Sequence, residues 1–234
     1  MNLTSAVALI TGGSAGIGRS IAQELAASGA RVAITGRDKG RLEEAARTLG
    51  VFAIQADVSD ESDVMRTYRE VLAKFGDLDI LVNNAGIGVF KNLVDLDRAS
   101  FDAVFATNVA GAMLMSREAA KHFIRRKSGN IVNIASTAAL RGAANGTAYY
   151  ASKFALRGMT ECWRAELRKH NIRVMLVNPS EVLTNFAASA GIAQKANETK
   201  LRGEEIAHAV KAILEMDDRG FTTELSVFAT NPID

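Results

Sequence analysis

Several residue types are scarce in this chain of 234 residues, and each scarcity closes a class of function. There is one cysteine, Cys162, so neither an intramolecular disulfide framework nor a CxxC site can be built. It stands beside Trp163 in an apolar helical stretch, where inert core packing is expected. The three histidines, His122, His170 and His208, are far apart and show no ligand spacing, so no metal is expected. Two prolines leave no Pro-rich linker, and no low-complexity run divides the chain. The opening MNLTSAVALI lacks a basic stretch followed by a long apolar one, so a signal peptide is not expected. No apolar run has the length of a membrane span. A net charge of +2 gives no strong pull toward nucleic acid or anionic lipid. Arg125-Arg126-Lys127 reads as a solvated helix end, where cations suit the helix dipole. The expectation is a soluble cytoplasmic protein with no nucleic-acid or membrane partner.

What is present is an ordinary globular balance, 48% apolar and 23% charged, enough to bury a sizeable core. The length suits one large α/β domain spanning 1–234. Short apolar runs at 6–10, 31–35, 52–55, 79–82, 130–134, 172–177 and 224–228 predict strands. They are mostly free of charge, as parallel strands covered on both faces are. Helical patterns lie between them near 17–28, 39–49, 60–75, 97–127, 149–169 and 203–215. Strand and helix in turn imply right-handed βαβ units, hence a Rossmann-type doubly wound, seven-stranded, mostly parallel sheet flanked by helices. The long, small-residue and polar segment 185–203 is expected to be a substrate loop within that domain.

The first predicted strand runs into TGGSAGIGRSIAQELA. Gly12, Gly16 and Gly18 there let backbone N–H groups approach a pyrophosphate at a helix N-terminus. The spacing is G-x-x-x-G-x-G rather than G-x-G-x-x-G, so the turn gains weight mainly from opening a βαβ chain. The second strand closes on Thr35-Gly36-Arg37-Asp38. Arg37 suits the 2′-phosphate of NADP, whereas an acidic residue would take the ribose hydroxyls of NAD. Asp38 also precedes a helix and is a good N-cap. NADP(H) is therefore favoured over NAD(H).

TAYYASK at 147–153 sets two tyrosines before a lysine. Tyr149 and Lys153 are i,i+4 and Tyr150 and Lys153 are i,i+3, so helical geometry alone does not choose between them.

The glycine turn, NNAG at 83–86, Asn108, Ser136 and YYASK form an ordered series that resembles the short-chain dehydrogenase/reductase family, most nearly its ketoacyl-carrier reductase-like members. The resemblance runs from Thr11 to Thr184. Its Tyr-x-x-x-Lys motif, with a serine thirteen residues before the tyrosine, matches Ser136, Tyr149 and Lys153 and so selects Tyr149. Tyr150 then becomes a packing or pocket-lining neighbour. The resemblance implies that Tyr149 gives a proton to a carbonyl oxygen as hydride arrives from the nicotinamide. Ser136 would hold the same oxygen, Lys153 would lower the phenol's pKa and grip the ribose, and Asn108 would hold a water linking Lys153 to solvent. The cofactor contacts it implies are Gly12, Ser14, Gly16, Ile17, Gly18, Arg37, Asp57, Val58, Asn84, Ala85, Gly86, Tyr149, Lys153, Pro179, Val182 and Thr184. Asp57 would meet the adenine, with helix capping as its rival role. Asn83 to Gly86 would support a sheet edge and the cofactor cleft.

The chain departs from the family in two places. Pro179-Ser180-Glu181 stands where Pro-Gly is common, putting a charge near the pocket and removing a glycine. The C-terminus ends FATNPID without the usual Asp-Gly-Gly, which weakens the subunit contact commonly built there. The leading expectation is an NADPH-dependent carbonyl reductase acting on a small-molecule ketone, which a 3-oxoacyl thioester on a carrier or CoA would also satisfy. Arg125, Arg126, Arg168 and Lys169 would then help dock an acidic carrier. The alternatives are an NAD-dependent alcohol dehydrogenase and a dinucleotide-binding sensor without turnover. A homodimer or homotetramer is implied through the small and apolar helices 97–127 and 149–169.

Overall fold

Four apolar residues with no exposed surface, Val7–Ile10, form β1 and set the centre of the molecule. The computed structural model describes residues 1–184, 186 and 199–231. β1 is followed by α1 (Gly16–Ala27), β2 (Arg31–Gly36), α2 (Lys39–Leu49), β3 (Phe52–Gln55), α3 (Glu61–Phe75) and β4 (Ile80–Asn83). The second half carries α4 (Arg98–Phe105), α5 (Ala112–Arg126), β5 (Gly129–Ile134), α6 (Thr147–Leu167), β6 (Ile172–Pro179), α7 (Gly203–Glu215) and β7 (Glu224–Val227). The strands form one sheet in the order β3-β2-β1-β4-β5-β6-β7, and every pairing is parallel. The chain therefore starts in the middle, winds out to β3, and crosses back over β1 to β4. That reversal opens a crevice at the C-terminal ends of β1 and β4, where ligands bind in open α/β sheets.

Helices cover both faces. Ile21, Leu25, Ile206, Val210 and Leu214 of α1 and α7 pack with Ile10, Val82 and Met175 on one side. Val64, Val71, Met115, Ala119 and Phe123 of α3 and α5 pack with Leu9, Leu81 and Ile131 on the other. Asp38 caps α2 by accepting the Arg41 N–H at 3.0 Å, as its place in the sequence predicts. α3 is capped instead by Asp60, whose carboxylate accepts from the backbone of Ser62 and Asp63, so Asp57 is not its cap.

The structure revises several expectations. The predicted helix 97–127 is three pieces, with a π turn at Ala106–Gly111 between α4 and α5. Cys162 is exposed while Trp163 packs inward against α5 and β6 residues, because neighbouring helix positions face directions about 100° apart. β4 is central in the sheet, so the 83–86 segment supports its middle rather than an edge. Arg125 and Arg126 end α5 and Arg168 and Lys169 follow α6, at the N-terminal edge of the strands. Arg126 is moreover held there by Asp77 at 3.1 Å and Asp79 at 2.9 Å. Tyr149 lies in the first turn of α6, about 28 Å along the axis from Arg168. Within one protomer the four cations thus lie at the opposite edge of the sheet from Tyr149. The predicted loop 185–203 lies outside the described residues except for Phe186 and 199–203.

Candidate active site

The glycine turn is shaped by three contacts. Gly12 and Gly16 have φ of +64° and +52°, a region L side chains avoid. A β-carbon on Gly18 would lie 2.3 Å from Asn84 Nδ2 and 2.5 Å from the Gly12 carbonyl oxygen. Thr11 ties the turn to β4: its hydroxyl accepts the N–H groups of Asn84 and Ala85, both at 3.0 Å. The Asn84 amide returns a bond to the Thr11 carbonyl at 2.9 Å. α1 begins at Gly16, two residues before Gly18, with Ala15 as an N-cap that offers no side-chain acceptor and no acidic residue in the first turn. Its N-terminal N–H groups and positive dipole end therefore face the crevice without a side-chain anion. Ile17 and Ser14 flank this turn, and Ser14 Oγ comes within 3.2 Å of where a Gly36 β-carbon would be. This cradle fits a dinucleotide pyrophosphate on grounds of space and charge.

Arg37 extends from the end of β2 with a 60% exposed side chain and lies 3.8 Å from Asp57. Asp57 otherwise accepts from the backbone and hydroxyl of Ser59. Val58 is buried and fills the space beside Gly111, at the end of the π turn. On the far side, Pro179 ends β6, Val182 bridges Leu201, and Thr184 covers Gly16 at 3.3 Å from its virtual β-carbon. Ser180 has no positive φ, so losing a glycine there strains nothing. Glu181 is answered by Lys200 at 2.6 Å.

The chemistry-bearing side chains meet between β4, β5 and α6. Ser136 follows β5 in extended conformation, and its oxygen accepts the Ala138 N–H at 3.1 Å. That leaves the hydroxyl proton free to donate. Tyr149 stands beside it, its ring centroid 5.4 Å from those of both Phe90 and Phe186. Burial pushes its phenol up to about 12, with a smaller opposing pull from the Ser136 hydroxyl. Lys153 is 5% exposed, donates to the Ile134 carbonyl at 2.9 Å, and is pushed down to about 8 by burial. The lowering of the phenol by Lys153 is expected together with an oxidised nicotinamide, and in the chain alone burial is the larger influence. The ammonium lies over the Tyr149 ring, 5.7 Å from its centroid. Tyr150 turns away, its ring resting on Gly146.

Asn108 sits in the π turn and is 2% exposed. Its amide pairs with both the N–H and the carbonyl of Ile87, at 2.8 and 2.9 Å, just after Gly86. Its second amide hydrogen goes to Ser152 Oγ at 2.9 Å, and Ser152 in turn donates to the Tyr149 carbonyl at 2.7 Å. The four residues singled out from sequence therefore share one place, at the C-terminal edge of the sheet. Thr11, Ser152, Phe90 and Phe186 join them without having been singled out. Ser152 lies inside the YYASK motif and was open to notice. The two phenylalanines come from segments distant in sequence, and nothing local signals that they meet.

A parallel, doubly wound sheet with a glycine turn at its switch point and a partly exposed Ser and Tyr with a buried Lys beside it defines a dinucleotide-dependent oxidoreductase. The family model for short chain dehydrogenase matches residues 6–195, and the chain belongs to that family. The (+)-borneol dehydrogenase 2 of Salvia officinalis is 39% identical over 193 residues, which is 80% of this chain and 68% of that protein. The crystal structure of the 3-ketoacyl-(acyl-carrier-protein) reductase of Brucella melitensis with NADH superposes at a TM-score of 0.89. It is 32% identical, covering 97% of this chain and 98% of that one. An alcohol dehydrogenase of the archaeon Thermococcus sibiricus with 5-hydroxy-NADP also gives 0.89, at 30% identity over 98% and 100% of the two chains.

Proposed function

We propose that the chain is an NADP(H)-dependent oxidoreductase that interconverts a ketone and a secondary alcohol, with Tyr149 as the proton donor and acceptor. The observation that carries this reading is the convergence of Ser136, Tyr149 and Lys153 at the same C-terminal edge of the sheet as the N-terminus of α1, which has no side-chain cap. The dinucleotide supplies or accepts the hydride when bound. Gly12, Gly16, Ile17, Gly18 and Ser14 would hold its pyrophosphate end, and Asn84, Ala85, Gly86, Asp57 and Val58 the crevice floor. Pro179, Val182 and Thr184 would border the opposite wall.

The residues of the chain then manage one oxygen atom. Tyr149 gives its phenolic proton to the carbonyl oxygen and takes it back in the oxidative direction. Ser136 donates its free hydroxyl proton to the same oxygen and so fixes it at the phenol. Lys153 lowers the cost of the phenolate by its charge, and Ile134 holds it in place. Asn108 commits both amide hydrogens, to Ile87 and Ser152, which leaves one lone pair of Oδ1 for the proposed water.

Three features support NADP(H). Arg37 is exposed and only loosely paired, Ser14 lies near its base, and the Asp38 carboxylate is occupied as a helix cap. Arg37→Ala should raise the Kd of NADPH at least ~10-fold more than that of NADH, a fluorescence titration being the check. Equal losses would remove the preference. The test of the reaction is NADPH and NADH consumption against a carbonyl panel by wild type, Tyr149→Phe and Tyr150→Phe. Turnover by wild type and Tyr150→Phe but not by Tyr149→Phe is expected. Tight cofactor binding with no consumption of any carbonyl would replace the reading by a sensor. We also propose self-association through α5 and α6, where Met113, Ile124 and Phe154 are exposed.

A further inference from the structure

Phe90 follows β4 and Phe186 follows β6, yet both rings meet at one residue. Each centroid is 5.4 Å from that of Tyr149, tilted by 46° and 49°. Contact at these tilts is favourable between aromatic rings, so the three hold one another in place. Gly88 makes the meeting possible: a β-carbon there would be 2.8 Å from Cζ of Phe186 and 2.9 Å from Cε2 of Phe90. The rings thus share the space over Gly88 and set carbon against the ring that carries the phenol. The charged groups nearest in sequence are already spent, Lys91 on Asp97 at 2.7 Å and Glu181 on Lys200 at 2.6 Å. Arg141 is solvent-exposed. Leu93, Val94 and Leu140, on the loops after β4 and β5, are exposed at 75%, 92% and 42%. They offer apolar surface on the same side of the sheet.

We infer that Phe90 and Phe186 are the specificity-determining pair, and that they select a compact apolar ketone or secondary alcohol, alicyclic or aryl, over polyols and over charged thioesters. Apolar rings beside the phenol reward a flat or globular hydrocarbon body with burial, and they offer nothing to replace the water that a sugar hydroxyl or a phosphate would lose. The selection is asymmetric. A hydrocarbon wall discriminates by size by about 10- to 200-fold per fitted group, and it penalises unsatisfied polar groups as well.

This rests on the reductase reading above, so the experiment separates the two. Wild type, Phe90→Ala, Phe186→Ala and Gly88→Ala are assayed for kcat and KM with α-tetralone, 2-butanone, dihydroxyacetone and acetoacetyl-CoA. NADPH affinity reports the integrity of each fold. The affinity of the NADPH-loaded proteins for α-tetralone is measured separately by calorimetry. Expected is a kcat/KM for α-tetralone at least ~10-fold above dihydroxyacetone and acetoacetyl-CoA in wild type. Each phenylalanine variant should then lose ~10-fold or more on α-tetralone, chiefly through KM, and less on 2-butanone. Gly88→Ala, which keeps both rings but displaces them, should shift the same ratio. A preference for the sugar or the CoA ester, or variants that leave the ratio unchanged, overturns the pair's role. If no carbonyl is turned over, the reductase reading falls. Calorimetry still decides the pair in that case: weaker α-tetralone binding in the variants supports it, and equal or absent binding refutes it.

Discussion

Burial disfavours the charged form of both Tyr149 and Lys153 and drives their titrations apart, the phenol up to about 12 and the ammonium down to about 8. The consequence for stability has a sign. Between pH 8 and 10.5 the unfolded lysine holds a proton that the folded one has released, so stability rises with pH across that window. Between pH 10 and 12 the unfolded tyrosine has lost a proton that the folded one keeps, so stability falls. Without cofactor, Lys153→Met should therefore be more stable than wild type at pH 7 by about 2 kcal/mol, after allowing for the lost bond to Ile134. The gain should vanish by pH 10.5, and urea unfolding at the two pH values checks it. A variant less stable at pH 7, with no pH trend, would show that the buried charge is relieved in some other way.

At the scale of elements, the turn from β1 into α1 is the tightest piece of the crevice. Gly18→Ala would drive a methyl group into Asn84 and the Gly12 carbonyl. It should cost about 1–3 kcal/mol of stability and weaken NADPH binding by ~10-fold or more, as read by thermal unfolding and titration. Unchanged affinity would mean that the cradle can shift without loss. The strands and most helix ends were legible because unbroken apolar runs and caps such as Asp38 are local signals. Of the site, Ser136, Tyr149 and Lys153 were legible through the spacing of a motif. The π turn was not, since 97–127 has one continuous helical pattern and the extra residue per turn answers a tertiary demand. It brings Asn108 to Ile87, 21 residues earlier in the chain. Phe186 fell within the expected substrate loop 185–203, but its meeting with Phe90 was not legible, because only the folded sheet brings the ends of β4 and β6 together. Cys162 misled because apolar neighbours in sequence do not tell which side of a helix a residue takes.

For the whole molecule, the exposed apolar residues of α5 and α6 make self-association measurable. Phe154, 44% exposed on α6 directly after Lys153, is the place to perturb it. Light scattering should give a dimer or larger for wild type and a smaller particle for Phe154→Asp. A wild-type monomer at micromolar concentration would remove the assembly. The two edges of the sheet also differ in kind. At the N-terminal edge Asp77 and Asp79 bind Arg126, His122 and the Val7 N–H, while Arg173 is anchored on Asn130 and the carbonyls that end α7.

That polarity has a bearing on how such a chain can change over generations. The charged fastenings around Asp77, Asp79 and Arg173 sit at one end, and the groups proposed to meet a small molecule sit at the other. Drift in the loops after β4, β5 and β6 can retune what is accepted while the fastenings below remain untouched. A sequence library confined to those loops should therefore yield many folded proteins with altered preferences, whereas one confined to the opposite rim should yield fewer folded proteins and the same preference.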